Sequence, residues 1–144
     1  MRPNTLAATK TLPKITLRAS EFDLLLALAD RAAPPVASYL ARELGRAFIV
    51  ADTDHTTRAA RVGSRVRYRD DHSGRTRTVT LVWPPDADIE RNHISVLTSV
   101  GAALIGLEAG RSIDWPAPVG GPRTLTVLAV DEGGGEDPTP GRAA

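Results

Sequence analysis

The residues of this chain that could do chemistry are few and poorly grouped. His55, His72 and His93 are the only histidines. None has a second histidine one helical turn away with a glutamate between, the pattern that seats zinc for hydrolysis. Acids alternate at Asp86, Asp88 and Glu90, as at the start of a calcium loop. Such a loop needs glycine at its sixth position for a sharp turn and glutamate at its twelfth to grip the ion. Counted from Asp86, those places hold Arg91 and Leu97, so the acids read as a hydrated turn. Gly101 and Gly106 have the spacing of a phosphate-cradling loop, but Leu107 and Glu108 follow where lysine and a hydroxyl residue are required. Asp70 and Asp71 are neighbours in a strand-like stretch, so they point to opposite faces and cannot act as an acid/base couple. No serine sits in a G-x-S-x-G elbow, and His93, in "NHIS", has no evident acid partner. The expectation is a protein that is not an enzyme, holds no metal or cofactor, takes no small-molecule substrate, and works by binding.

Composition narrows the class. Of 144 residues, 42% are apolar and only 4% aromatic, so a core must be built from Leu, Val, Ile and Ala. There is no cysteine, which excludes a disulfide scaffold, a thiolate metal site and a cysteine nucleophile. The first twenty residues lack an apolar signal-peptide core, and the longest apolar runs, "LLLALA" and "VGAALIGL", are far too short to cross a bilayer. A cytoplasmic protein without a membrane partner is expected. Net charge is only +1, but it is unevenly spread. Seven arginines face two aspartates between Arg58 and Arg77, whereas acids prevail from Glu108 onward. That asymmetry reads either as a polyanion-facing patch or as a solvated strand face.

These residues must be positioned by local elements. Residues 1–19 read as an arm with a short strand at "KITL". Ser20 is a candidate helix N-cap, with Asp23 in the place of a capping-box acid. Phe22, Leu25, Leu26 and Ala29 fall on one helical face. Pro34 and Pro35 stop that helix, and Val36, Tyr39, Leu40 and Leu44 line the face of a second. Residues 20–50 therefore read as a short antiparallel α-hairpin, a small coiled coil of helices about 10–14 residues long, each roughly 15–21 Å. Residues 51–63 are polar, lack periodicity and read as a linker.

The period then changes to two. If Val66 lies opposite Val79, Tyr68 faces Arg77 and Asp71 to Gly74 form a hairpin loop. Arg65, Arg67 and Arg69 then share the outer face with Thr76, Thr78 and Thr80, while Arg75 and Arg77 lie on the other. "PPDAD" turns the chain, and Ile94–Leu97 reads as a short strand. "SVGAALIGL" reads as a short helix capped by Thr98 or Ser99 and terminated by Gly110. "RSIDW" and "RTLTVLAV" are two more strands, separated by a turn at "PAPVGGP". In the last strand Leu125, Val127 and Ala129 share one face. Residues 132–144 have the composition of a disordered tail. The whole reads as α+β, helices first and an antiparallel sheet with one short helix after.

The order of "SRVRYRD", "VTLVWP", "ISVL", "VGAALIGL" and "SIDWP" within Ser64–Val130 resembles the C-terminal domain of the bacterial GreA/GreB transcription elongation factors. It is closer still to the family's Rnk-like branch, the regulators of nucleoside diphosphate kinase, whose N-terminal hairpin is short. "PKITL" and "YLARELGRA" look like that family's entry strand and second helix. The resemblance implies an FKBP-like fold over residues 64–131, a curved sheet holding one helix. It also implies docking on RNA polymerase at the rim of the secondary channel, through Leu97, Thr98, Ser99, Val100 and Gly101. Gre factors carry Asp-Ser-Pro in that loop and Rnk-like relatives usually Ala-Pro at its last two places. Leu97, Thr98 and Ser99 stand here, without the proline that would fix φ. Gre factors stimulate transcript cleavage with acids at the tip of a long hairpin. The tip here, with Asp30, Arg31, Pro34 and Pro35, holds one acid on shorter helices. The resemblance thus points to a monomeric, non-cleaving regulator that competes with Gre-type factors. Its effect on nucleoside diphosphate kinase would be indirect, and it would meet DNA or RNA only within the polymerase complex. Two other readings stay open. One is an FKBP-like prolyl isomerase or chaperone using Tyr68, Trp83 and Trp115. The other is direct nucleic-acid binding through the Arg-rich hairpin, Arg61 to Arg77, with Arg65, Arg67 and Arg69 as its contact face.

Overall fold

A buried triplet is the first strand among the described residues. A computed structural model describes residues 12–116 and 123–131; the tail at 132–144 and most of the "PAPVGGP" turn lie outside them. Strand β1, Thr16–Arg18, runs directly into helix α1, Ala19–Leu28. A 3-10 turn at Ala29–Arg31 leads to helix α2, Pro34–Gly45, and then to strand β2, Phe48–Val50. β1 and β2 pair in parallel, Thr16 opposite Phe48, so both ends of the helix pair are fastened at one place. β2 was not foreseen, because three residues are too few to show alternation.

Local signals explain part of this segment. Pro34 opens α2, where its missing N–H would lack a helical partner anyway. Val36, Tyr39, Leu40 and Leu44 are all buried, as their spacing predicts. α1 departs from expectation at two points. Ser20 is not its N-cap: the cap position is Arg18 and carries no side-chain cap bond. The Ser20 amide instead donates to Asp52 Oδ1 at 3.0 Å, so a carboxylate from 32 residues on in the chain serves the helix start, where the dipole favours an anion. Leu26 is 55% exposed, because α1 meets the core along the narrow i, i+4 line of Glu21, Leu25 and Ala29.

The remaining strands form a five-stranded sheet. They are β3 (Arg65–Asp70), β4 (Thr76–Val82), β5 (His93–Ser95), β6 (Ser112–Trp115) and β7 (Arg123–Asp131), in the order β5-β4-β3-β7-β6. The β3/β4 register matches the sequence pattern, with Val66 opposite Val79 and Tyr68 opposite Arg77. The sheet is not wholly antiparallel: β5 runs parallel to β4. The intervening "WPPDADIERN" is long enough to cross over, through 3-10 turns at Pro84–Asp86 and Ile89–Arg91. In β7, the register against β3 shifts between Arg67, opposite Ala129, and Tyr68, opposite Val127. Leu128 is the extra residue of this bulge, and past it Val130, not Ala129, continues the inward face.

Helix α3, Ser99–Leu104, lies against the inner face of the sheet. It ends well before Gly110: Ile105 already leaves helical geometry with ψ 133°, and Gly106 follows at φ +83°. That glycine is a junction. The Thr16 amide donates to the Gly106 carbonyl at 3.0 Å, and the Gly106 amide donates to the Ala60 carbonyl at 2.8 Å. The Ala60 amide donates in turn to the Leu107 carbonyl at 2.7 Å. The segment expected as a linker has no regular structure, yet Ala59 and Ala60 are buried there. Tyr39 Oη donates to the Asp114 carbonyl at 3.0 Å, joining α2 to β6. One apolar core results, from Ile15, Leu17, Leu25 and Leu40 to Val66, Leu81, Leu104 and Leu125. Among the described residues no helix is long and apolar enough to cross a membrane.

Glu21 is buried in this core and its carboxylate Oε2 accepts from the Val62 amide at 2.9 Å. Desolvation raises its pKa despite that bond and the nearby Arg61 and Arg18. A raised acid contributes stability at low pH that is lost as pH climbs through the folded pKa. Glu21→Gln keeps an acceptor for Val62. In urea unfolding, its stability relative to wild type should therefore rise as pH climbs from the ordinary value of 4.5 through the raised folded pKa; a constant difference would contradict this. At the junction, a Cβ on Gly106 would run into Ile15 Cγ2 as well as adopt positive φ. Gly106→Ala should cost about 3 kcal/mol by denaturant unfolding. Gly110→Ala, at φ +92° but with open space around it, should cost about 1–2 kcal/mol.

Candidate functional site

The short helix α3 owes its direction to a local bond set. Thr98, in extended conformation, is its N-cap, and Oγ1 accepts from the Gly101 amide at 3.1 Å. The same hydroxyl donates to the Ser95 carbonyl at 2.7 Å. Ser95 Oγ accepts from the Leu97 amide at 3.0 Å. The turn from β5 into α3 is thus tied at both ends. Gly101 packs so closely over the Ser95 carbonyl that a Cβ would collide with it. Ala102, Ala103 and Leu104 then bury against the sheet, small residues allowing close approach.

A cleft of about 630 Å³ opens between the N-terminal turn of α3, the inner face of the sheet and the crossover loop. Its apolar floor comes from Tyr68, Val79, Ile94, Val100 and Trp115. Burial raises the Tyr68 pKa, with Arg77 opposing, so this phenol stays neutral and donates or accepts rather than titrating near neutrality. Trp115 Nε1 is buried and finds no hydrogen-bond partner among the described residues.

The structure sorts the expected site residues. Thr98, Ser99 and Val100 line the cleft together, Thr98 being exposed. Leu97 packs against the core beside it. Gly101 is buried, so its part is close packing and not contact with a partner. Asp30, Arg31, Pro34 and Pro35 are exposed around the break between α1 and α2. Arg65, Arg67 and Arg69 share the outer sheet face with Thr80, Thr78 and Thr76 opposite them, away from the cleft floor. Arg69 Nε is committed to Asp71 Oδ1 at 2.7 Å, and Asp71 Oδ2 accepts from Thr126 Oγ1 at 2.7 Å. Desolvation pushes the Asp71 pKa up, but these two hydrogen bonds and the Arg69 charge outweigh it and hold the carboxyl below its usual range. Arg65 and Arg67 remain exposed. Trp83 is half-buried and does not line the cleft. Among the described residues no group of three or more His, Asp or Glu comes together to hold a metal ion.

Sequence reasoning missed the opposite lip, formed by Arg77, Ala87, Ile89, Asn92 and His93. Ile89 is 83% exposed. A lone isoleucine inside the polar run "DADIERN" was the available signal, since a turn has no core to bury it.

The profile of the C-terminal domain of the GreA/GreB transcription elongation factors matches residues 55–132. This chain belongs to the GreA/GreB family. A regulator of nucleoside diphosphate kinase from Escherichia coli strain K12 is 36% identical over 115 residues, covering 80% of this chain and 85% of that protein. A transcription elongation factor GreA from Syntrophobacter fumaroxidans is 35% identical over 91 residues, 63% of this chain and 58% of that protein. The solved structure of a GreA/GreB elongation factor from Nitrosomonas europaea superposes with TM-score 0.63 at 34% identity, over 83% of this chain and 98% of that one. These relatives are regulators and transcription factors, and the Rnk-type regulator is matched over most of its length. In this GreA/GreB-family chain the Thr98 cap should be measurable alone. Thr98→Val should lower unfolding free energy by about 1 kcal/mol, and Thr98→Ser should retain most of it.

Proposed function

We propose that this chain binds RNA polymerase at the rim of the secondary channel through the cleft beside Thr98, Ser99 and Val100, and thereby competes with Gre-type factors without stimulating transcript cleavage. The observation that carries the reading is a family-type C-terminal domain with an open apolar cleft, joined to a helix pair of only 10 and 12 residues. In this reading the five-stranded sheet around α3 is FKBP-like, and α1 and α2 form the short antiparallel coiled-coil hairpin. At about 1.5 Å per residue the longer helix spans roughly 18 Å. That length reaches from the rim into the mouth of a pore tens of ångströms deep, and no further. Asp30 is the one acid at the tip, flanked by Arg31, so the tip offers no acidic cluster to help hold a catalytic magnesium.

The protein acts as a monomer in the cytoplasm, needs no cofactor, and meets DNA or RNA only inside the polymerase complex. Any effect on nucleoside diphosphate kinase follows indirectly from altered transcription. An FKBP-like prolyl isomerase reading draws on Tyr68 and Trp115 in the cleft; turnover of a prolyl peptide separates it from the docking reading.

The test is direct. The full chain should co-elute with core polymerase, and Thr98→Glu together with Ser99→Glu should abolish co-elution. In stalled elongation complexes it should leave intrinsic RNA hydrolysis unchanged while reducing the cleavage driven by an added Gre factor. Accelerated hydrolysis, or no displacement of the Gre factor at saturating protein, would refute the proposal.

A further inference from the structure

We infer that the cleft recognises a polymerase segment that presents an apolar side chain with carboxylates beside it, and that Ile89 and Arg77 on the lip opposite α3 decide this specificity. The inference rests on the docking reading above and adds to it the chemistry of the partner and the second half of the contact surface.

Ile89 is exposed by construction. The turn that carries it is locked to the β5 strand by an antiparallel bridge. The Asp88 amide donates to the His93 carbonyl at 2.8 Å, and the His93 amide donates to the Asp88 carbonyl at 2.9 Å. Within the turn, Asp88 Oδ1 accepts from the Glu90 amide at 3.1 Å, and the Asn92 amide donates to the Ile89 carbonyl at 3.0 Å. Asn92 closes the turn in the left-handed region, φ +60°. Every one of these bonds holds backbone, and none covers the Ile89 side chain. An isoleucine 83% exposed on a fixed turn, at the mouth of an apolar cleft, is a preorganised contact. It loses little freedom when a partner covers it.

Charge states the other half of the partner. Arg77 and His93 are the cationic-type side chains that line the cleft, and no carboxylate lines it. Arg77 stands opposite Tyr68 in the β3/β4 ladder, exposed, and has no ion-pair partner among the described residues. The turn's own acids face elsewhere: Asp86, Asp88 and Glu90 are not part of the lining, and Asp88 is 3.6 Å from Arg91 Nε. A partner carboxylate beside the inserted apolar group would thus meet an unengaged guanidinium and no like charge. The floor favours protein over nucleic acid, because Tyr68 and Trp115 are buried and present no free face for a base to stack on.

The experiment measures affinity of the full chain for core polymerase in five proteins: wild type, Ile89→Ala, Arg77→Glu, Arg67→Glu and the Thr98→Glu/Ser99→Glu double variant. Arg67 is exposed on the outer sheet face and serves as the charge-matched control. All three single substitutions are at exposed positions, so unchanged thermal unfolding is expected and checks folding. Ile89→Ala and Arg77→Glu should each weaken binding on the order of tenfold or more, Arg67→Glu by less than about twofold, and the salt dependence should shrink in Arg77→Glu. Loss of binding in the Thr98/Ser99 charge variant with wild-type affinity in both lip variants would overturn this inference and leave the docking reading standing. Absence of wild-type binding to polymerase would overturn both. Equal loss from Arg67→Glu and Arg77→Glu would point to diffuse charge, and a wild-type dimer that Ile89→Ala dissociates would assign the cleft to a second copy. Either result would also overturn it.

Discussion

The architecture depends on the left-handed turn at Gly106. Three chain segments meet there through main-chain hydrogen bonds alone: β1 from the N-terminal part, Ala60 from the connecting segment, and the exit of α3. A side chain at Gly106 would push against Ile15 and Leu17, both buried in the core. The absence of a Cβ is therefore what lets the N-terminal strand lie against the α3 loop. Once glycine at 106 admits the strand, the junction is held by main-chain bonds alone. With the Tyr39–Asp114 and Glu21–Val62 bonds, it brings Ile15, Leu17 and Leu25 into one core with Leu81 and Leu125.

The cleft beside α3 follows from the same geometry. A six-residue helix cannot hold itself in water. α3 is helical because Thr98 caps one end, Ile105 and Gly106 turn the chain away at the other, and Ala102, Ala103 and Leu104 are buried between them. Burying that face leaves Ser99 and Val100 toward the cleft. The polar outer surface of the sheet is organised differently. Ser112 and Thr126 hydroxyls lie 2.7 Å apart, and Thr126 bonds Asp71, which holds Arg69. Cross-strand pairs of this kind satisfy one another; this network engages Arg69 and leaves Arg65 and Arg67 exposed on the same face.

Much of this was legible in residues with strict periodicity. Val66, Tyr68, Val79 and Leu81 alternate, and their register and face followed directly. Val36, Tyr39, Leu40 and Leu44 marked the buried side of α2, and of the two cap candidates Thr98 and Ser99 the first caps α3. What could not be read came from tertiary contact or from segments too short to show a period. The anion that serves the start of α1 is Asp52, far along the chain, and it displaced the local candidate Ser20. The bulge at Leu128 inverts the alternation of β7 midway. The parallel placement of β5 depends on how a ten-residue crossover folds. On the candidate site, the α3 side was visible as a capped apolar helix, whereas the lip of Ile89 and Arg77 exists only once the crossover brings a polar turn back to the cleft mouth.

The paired strands β1 and β2 carry one more implication. They clamp the two roots of the helix pair side by side, Thr16 beside Phe48, and no residue of the exposed bend from Asp30 to Pro35 takes part in that clamp. The helices could be extended by matched whole turns beyond their roots while the sheet, the cleft and the Gly106 knot stayed as they are. The length of the helix pair and the shape of the sheet domain are then separable traits.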